Sequence, residues 1–386
     1  MSVSSSAPNV FEAGLPTLTY GLTASPHDIL EDVRLAQSRA PIAIGPLGPE
    51  ILSYELVREI LRDNRFRLPP GITLAAQGIT SGPLFDKLAN SLLGLDGAPH
   101  VRLRKLVSKA FTPRATSRLQ ETIHEVMNGL IDQVADTGQC DVVTDIARPY
   151  PTPIMCALLG APPEDWQLFA DWTEEVFQAF NFRPDAKFDE SAILRSWSEL
   201  DDYVDGMVAD RRGNLTDDLL SELIRAESEG DRLTLDELRG LVAGFLMAGT
   251  DTTRNQLAAS VQVLCEHPDQ WAKLRDHPEL AMQAVEETMR HSPAASIVPR
   301  AATDDIEFGG YLFPAGTFVL ANTLAANRDP AIYDDADRFD ITRRDVPPLL
   351  TFGGGAHYCL GANLARRELA EALTVLTRRM SATHRA

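Results

Sequence analysis

The chain has 386 residues, 44% of them hydrophobic and 24% charged, the ordinary balance of a globular protein with a large core. Its formal net charge of -19 disfavours nucleic acid and anionic membranes as partners, and no run of about 18 apolar residues occurs, so no membrane insertion is expected. The first residues, Met1-Ser-Val-Ser-Ser-Ser-Ala-Pro8, lack the basic and apolar parts of a signal peptide, which predicts cytoplasmic residence. Four cysteines (Cys140, Cys156, Cys265, Cys359) are widely spaced without a Cys-x-x-Cys pair. Neither a disulfide framework nor a structural zinc site is expected from them.

Residues 1–16 read as a loose polar arm, and Pro26 opens a helix over 26–38. Two β-prone pieces follow at 41–44 and 50–53, parted by Gly and Pro. Residues 68–99 collect turn formers (Pro69, Pro70, Gly71, Gly78, Gly82, Pro83) and read as a long irregular loop. From 99 to 109 the sequence turns helical and basic, with His100, Arg102, Arg104, Lys105 and Lys109. His100 and Arg104 stand at i and i+4, hence on one face, although the charge pattern alone equally allows a solvated helix surface. Periodicity near 3.6 predicts helices over 115–136, 147–159, 164–180 and 189–211. The aromatic run 177–188 suits a core or a pocket, and residues 213–232, acidic and broken by glycine, read as a surface connector.

The longest helix opens on a capping box, Thr234-Leu-Asp-Glu237, with Thr234 as N-cap and Glu237 at N3. Leu238, Leu241, Val242, Phe245 and Leu246 continue its apolar face, and the pattern runs to Leu264. In its middle stands Ala248-Gly249-Thr250-Asp251-Thr252-Thr253. A glycine, an aspartate and three threonines are poor chemistry for a buried helix. Such a violation marks either a functional site or a dimple tolerated by packing. Threonine hydroxyls there can bond carbonyls one turn back, and the small residues can leave room over a flat cofactor for a diatomic molecule.

Further on, Glu287-Thr-Met-Arg290 has the spacing of an i,i+3 ion pair, worth about 0.2–0.5 kcal/mol on an ordinary helix surface. Near the end comes Phe352-Gly353-Gly354-Gly355-Ala356-His357-Tyr358-Cys359-Leu360-Gly361-Ala362-Asn363-Leu364-Ala365-Arg366. Its glycines let the backbone approach a bulky flat object. The amphipathic helix that follows brings its positive end near Cys359, which favours the thiolate. A single thiolate so presented suits an axial metal ligand, although a cysteine after a glycine turn is by itself more often structural. A phosphate-binding loop is excluded, because no Lys-Ser/Thr follows the glycines.

With Phe352, Gly355, His357, Cys359, Gly361 and Leu364-Ala365-Arg366 in place, the chain resembles a cytochrome P-450 of the soluble bacterial type. The resemblance implies a mostly α fold with a small β portion, a long central helix over a haem, and a cysteine-ligand loop on the opposite face, in one domain spanning 1–386. It implies haem b (iron protoporphyrin IX), with Cys359 as the iron ligand and Phe352, Gly361, Ala248 and Gly249 against the cofactor. His100, Arg104, Arg300 and His357 fall where the family neutralises the propionates, and Asp251 and Thr252 where it delivers protons to dioxygen. Glu287 and Arg290 are expected to join Arg338 in a triad that holds the cysteine loop, while 68–99 and 165–190 set substrate choice. The implied reaction is insertion of one atom of dioxygen into a lipophilic small molecule, by hydroxylation or epoxidation. Electrons would come from NAD(P)H through ferredoxin reductase and ferredoxin, docked by Arg102, Lys105, Lys109 and Arg367 on a monomer. A peroxide-using relative is disfavoured by the intact Asp251-Thr252 pair. A nitric oxide reductase fed directly by NADH, and a non-catalytic haem sensor, share the same motifs.

Overall fold

The two β-prone pieces before residue 54 form a hairpin, β1 (Ile42–Gly45) and β2 (Gly48–Ile51), turned at Pro46-Leu47. Gly48 takes φ +138° and leaves the Phe318 carbonyl 2.6 Å from where a Cβ would stand, so a side chain has no place there. In the computed structural model the described residues are 7–21, 26–180, 187–228 and 233–382. They fall into two compact units, Met1–Pro69 with Glu286–Cys359 and Pro70–Val285 with Leu360–Ala386.

The first unit adds β3 (Phe66–Arg67), β4 (Ile297–Ala302), β5 (Ile306–Phe308), β6 (Tyr311–Phe313) and β7 (Phe318–Asn322). One sheet runs β1-β2-β7-β4-β3, parallel only between β2 and β7, and β5 pairs with β6 separately. Ile42, Ile51, Val57, Ile60, Phe313 and Val319 are buried together as its core. Glu50 lies wholly buried in β2, where it accepts from the Tyr20 hydroxyl and from Asn322 Nδ2 (2.9 Å); burial pushes its carboxyl above the usual range.

The expected loose arm is corrected over its described part. Val10 is fully buried, and strand-like bonds join Val10 N to Leu312 O and Leu312 N to Pro8 O, both at 2.9 Å. Residues 1–6 lie outside the described residues.

The second unit is built on the long helix Leu235–Glu266, whose start carries both halves of the expected capping box. The helices Pro151–Leu159, Trp166–Phe177, Glu190–Arg212 and Ala362–Arg379 all pack on it. Gly249 has a packing reason of its own, because a Cβ there would stand 2.5 Å from Met155 Sδ.

Three expectations need correction here. The irregular stretch 68–99 contains the short helices Ile72–Ala76 and Pro83–Ala89, the second anchored by buried Leu84 and Leu88. Residues 213–232 are not a plain connector, since Leu219–Ser228 is a helix that buries Leu219, Leu220, Leu223 and Ile224. Its acidic outer face masks that stripe in the sequence. The helix expected from 147 begins at Pro151, after a π-helical turn Val142–Ala147 whose first amides, Val143 N and Thr144 N, bond the Asp141 carboxylate. In the aromatic run, Phe177 and Phe180 pack with centroids 5.3 Å apart, and 181–186 lie outside the described residues. No helix among the described residues is long and apolar enough to cross a membrane.

Candidate active site

In the first unit the cysteine loop is shaped by its glycines. Gly353 and Gly355 take φ +72° and +63°, and a Cβ on Gly355 would stand 2.6 Å from the Leu61 carbonyl. The loop therefore lies directly on the end of the helix Tyr54–Ile60. Cys359 N donates to Phe352 O (2.8 Å), closing the loop between the two signature residues, and the Phe352 and Tyr358 rings sit 6.3 Å apart. His357 ends the short turn Gly355–His357. Cys359 is half-buried, whereas Cys156 is fully buried and its thiol is pushed up to about 12, which makes it inert.

A buried ion pair carries this loop. Arg290 Nε and Nη2 reach the two oxygens of Glu287 at 2.7 and 2.9 Å, with both side chains inaccessible to solvent. The remaining Arg290 donors bond the carbonyls of Ala336 (2.6 Å), Asn327 (3.2 Å) and Arg338 (3.0 Å). Asn327 in turn accepts from Leu350 N (3.0 Å) and donates to Thr351 Oγ1 (2.8 Å), immediately before Phe352. A direct bonded path thus runs from Arg290 to the loop. The third member is a correction: Arg343 Nε lies 3.4 Å from Glu287, while the Arg338 side chain is exposed and turns to Asp340. Arg300, on β4 opposite Val319, is buried and donates to Pro299 O at 2.8 Å.

The second unit holds the rest of the expected set. His100 and Arg104 lie one turn apart on the helix Gly97–Val107, His100 buried and Arg104 half-buried. Burial, and then the charge of Arg104, push the His100 imidazole below its ordinary value. Arg102 does not point freely outward as expected, because it is ion-paired with Glu237; Arg367 likewise donates to Gln120 Oε1 at 2.8 Å. Lys105 and Lys109 are exposed.

On the long helix, Thr250 and Thr252 both bond back one turn, to Leu246 O and Ala248 O, at 2.7 Å each. Asp251 is held at both oxygens, by Arg254 Nη2 (2.6 Å) and Asn255 Nδ2 (3.0 Å). Ala248 and Gly249 are half-buried, and Gly361 precedes the C-terminal helix, accepting from Ala365 N at 2.9 Å. Sequence reasoning missed Glu368. It is buried in that helix, bonded to Thr253, and its Oε2 has no hydrogen-bond partner among the described residues. Burial pushes its carboxyl well above the usual range. The available signal was an acid inside the apolar stripe Leu364, Leu369, Leu373.

The donor set fits a haem. No group of three or more His, Cys, Asp or Glu that could hold an ion unaided occurs among the described residues. A lone cysteine on a tightly braced loop suits an iron whose macrocycle supplies the other ligands.

Comparison with known proteins agrees. The family model "Cytochrome P450" matches residues 53–383. The luteothin monooxygenase of Streptomyces thioluteus is 37% identical over 355 residues, 90% of this chain and 86% of the relative. The mycinamicin IV hydroxylase/epoxidase of Micromonospora griseorubida is 38% identical over 341 residues, 87% of this chain and 83% of the relative. Among solved structures, epothilone B-bound P450epoK superposes with a TM-score of 0.84 at 29% identity, covering 94% of this chain and 92% of that one.

Proposed function

We propose that this chain, which belongs to the cytochrome P450 family and is a haem-binding monooxygenase, oxygenates a lipophilic small molecule with Cys359 as iron ligand and with Asp251 and Thr252 together delivering protons. The observation that carries this reading is the cysteine loop, a single thiol on a backbone braced through Asn327 to the buried Arg290–Glu287 pair. Haem iron, when bound, supplies dioxygen binding and O–O cleavage, which a thiolate ligand favours.

The residues divide the remaining work. Arg104 and Arg300 would each offer fixed positive charge to the haem propionates, and His100, its pKa lowered, would offer a neutral N–H donor. His357, on the cysteine loop, would add a further donor. The Thr252 hydroxyl gives its hydrogen to Ala248 O, which leaves its lone pairs to receive and orient a proton-bearing water. Asp251 supplies that water with protons.

The relatives named for luteothin and mycinamicin IV support a natural product as substrate. Electrons would come from NAD(P)H through a ferredoxin reductase and a ferredoxin. Lys105 and Lys109 are the docking cations, without Arg102 and Arg367, which are engaged within the protein. Residues 1–386 would act as one domain, a cytoplasmic monomer. The test is a visible-spectrum titration of the purified ferric protein with lipophilic compounds, luteothin, mycinamicin IV and epothilone B among them, followed by product analysis of those that shift it. A shift and a product bearing one added oxygen are expected. A shift without any oxygenated product, with reductase, ferredoxin and NAD(P)H present, would overturn the assignment.

A further inference from the structure

Gly249 leaves a notch in the long helix, and Met155 fills it. A Cβ at 249 would stand 2.5 Å from Met155 Sδ, 2.9 Å from its Cε and 3.0 Å from its Cγ, so the whole end of the thioether lies against the helix backbone. Met155 is buried on the helix Pro151–Leu159, which packs on the long helix. One turn on, Thr253 is buried and bonded to Glu368 of the C-terminal helix. The face shared by 249 and 253 is thus seated on two neighbouring helices.

The turn above that seat is soft. Thr250 and Thr252 bond the carbonyls of Leu246 and Ala248, at 2.7 Å each, in competition with the helix amides, and such back-bonding loosens and bends a helix. Glycine at 249 lowers the helix preference further. The section 246–252 is therefore weakly held by its own backbone and takes its position from what it rests on. At 249 that is one unbranched, adaptable side chain, able to fill an irregular gap yet confined by a close-packed core. Thr252 stands about 4.5 Å further along the axis, less than one turn away, so a displacement at the notch reaches its hydroxyl.

We propose that Met155 is a positioning residue for the reaction: its thioether, seated at Gly249, sets where the turn 248–252 stands and so aims the Thr252 hydroxyl. The inference rests on the reading of Thr252 in proton delivery. Met155 exchanges no proton and acts only through the backbone it supports. Its loss leaves space into which the turn recedes, whereas an aliphatic side chain of similar volume keeps the seat filled.

The experiment uses the haem-loaded protein carrying Met155→Ala, Met155→Leu, Gly249→Ala, or Gly249→Ala together with Met155→Ala. Ile131→Ala, a cavity on the separate helix Gln120–Ala135, serves as the control for lost packing. Each variant is read for the infrared stretch of the reduced carbonyl complex, the thermal midpoint, and product per NAD(P)H oxidised with a compound found by the spectral titration. Met155→Ala is expected to lower product per NAD(P)H about threefold and to move the carbonyl stretch, while Met155→Leu keeps both near wild type. Met155→Val replaces the alanine variant if that one loses haem. Gly249→Ala is expected to disturb both readouts, because its methyl displaces Met155, and adding Met155→Ala is expected to restore part of the loss. If Met155→Ala behaves like Ile131→Ala, less stable but with wild-type coupling and carbonyl stretch, Met155 only fills the core and the inference fails. It fails too if the two single losses simply add in the double variant. If Thr252→Ala couples like wild type, the proton role of Thr252 is what fails, and the carbonyl stretch alone then decides whether Met155 sets the turn.

Discussion

Arg343, rather than Arg338, is the second arginine on Glu287: its Nε sits 3.4 Å from the carboxylate, while Arg338 contributes only its backbone carbonyl to Arg290. The side chains at 338 and 343 therefore differ in weight. Arg338→Ala is expected to change stability by no more than about 0.5 kcal/mol, as at ordinary surface sites. Arg290→Ala, which leaves Glu287 buried and uncompensated, is expected to cost about 3–5 kcal/mol. Arg343→Gln should fall between them. Urea denaturation with haem content per chain measures all three, and a large loss in Arg338→Ala would return the role to that residue.

Cys359→Ala is expected to abolish the strongly red-shifted Soret band of the reduced carbonyl complex that thiolate ligation gives. Changes at Cys140, Cys156 or Cys265 should leave it. Persistence of the band in Cys359→Ala protein would refute the ligand assignment.

Thr252→Ala removes a hydroxyl whose hydrogen bond stays within its own helix, so folding and the substrate-induced spectral shift should survive. Reduced cofactor and dioxygen are expected to be consumed still, mostly yielding hydrogen peroxide. The readout is product formed per NAD(P)H oxidised, and undiminished coupling would contradict the role given to Thr252.

Lys105→Glu with Lys109→Glu reverses two exposed charges, one on the helix that carries His100 and one on the short turn that follows it. The first electron transfer from ferredoxin is expected to slow about tenfold at low salt, with the difference shrinking as ionic strength rises. Identical salt dependence in variant and wild type would remove this face from docking.

Glu368 supplies a pH test. Its folded-state carboxyl keeps a proton to higher pH than the unfolded value of about 4.3, so the stability tied to that proton is complete below this value and is lost as pH rises. Gln does not titrate. Glu368→Gln should match wild type near pH 4 and be the more stable of the two at pH 8. A wild type more stable than the variant at pH 8 would show that the carboxylate is ionised and well paired.

The features legible in the sequence are those written over a few adjacent residues. The Thr234–Glu237 capping box and the Phe352–Cys359 loop depend on local spacing, and the structure has both. The back-bonded hydroxyls of Thr250 and Thr252 follow from helix geometry alone. What stayed hidden depends on distant partners. Val10 is ordered by Leu312, some three hundred positions away, and nothing in its polar surroundings signals that bond. The choice between Arg338 and Arg343 turns on the path of the chain after Asp335, a non-glycine residue at φ +49°. Glu368 stands in an apolar stripe, but its partner Thr253 lies more than a hundred positions away and is seen only in the structure.

The carboxylate of Glu237 has no idle oxygen, one accepting from Thr234 N at 2.9 Å and the other facing Arg102 from a different helix. The first turn of the long helix is thereby indexed from outside, and every residue beyond inherits its angular setting. One residue added between Leu238 and Ala248 would turn Asp251 and Thr252 by about 100° and advance them by about 1.5 Å, aiming each at what its neighbour now faces. Over that stretch, most of it buried, the chain should accept volume-conserving exchanges of side chain and no change of length.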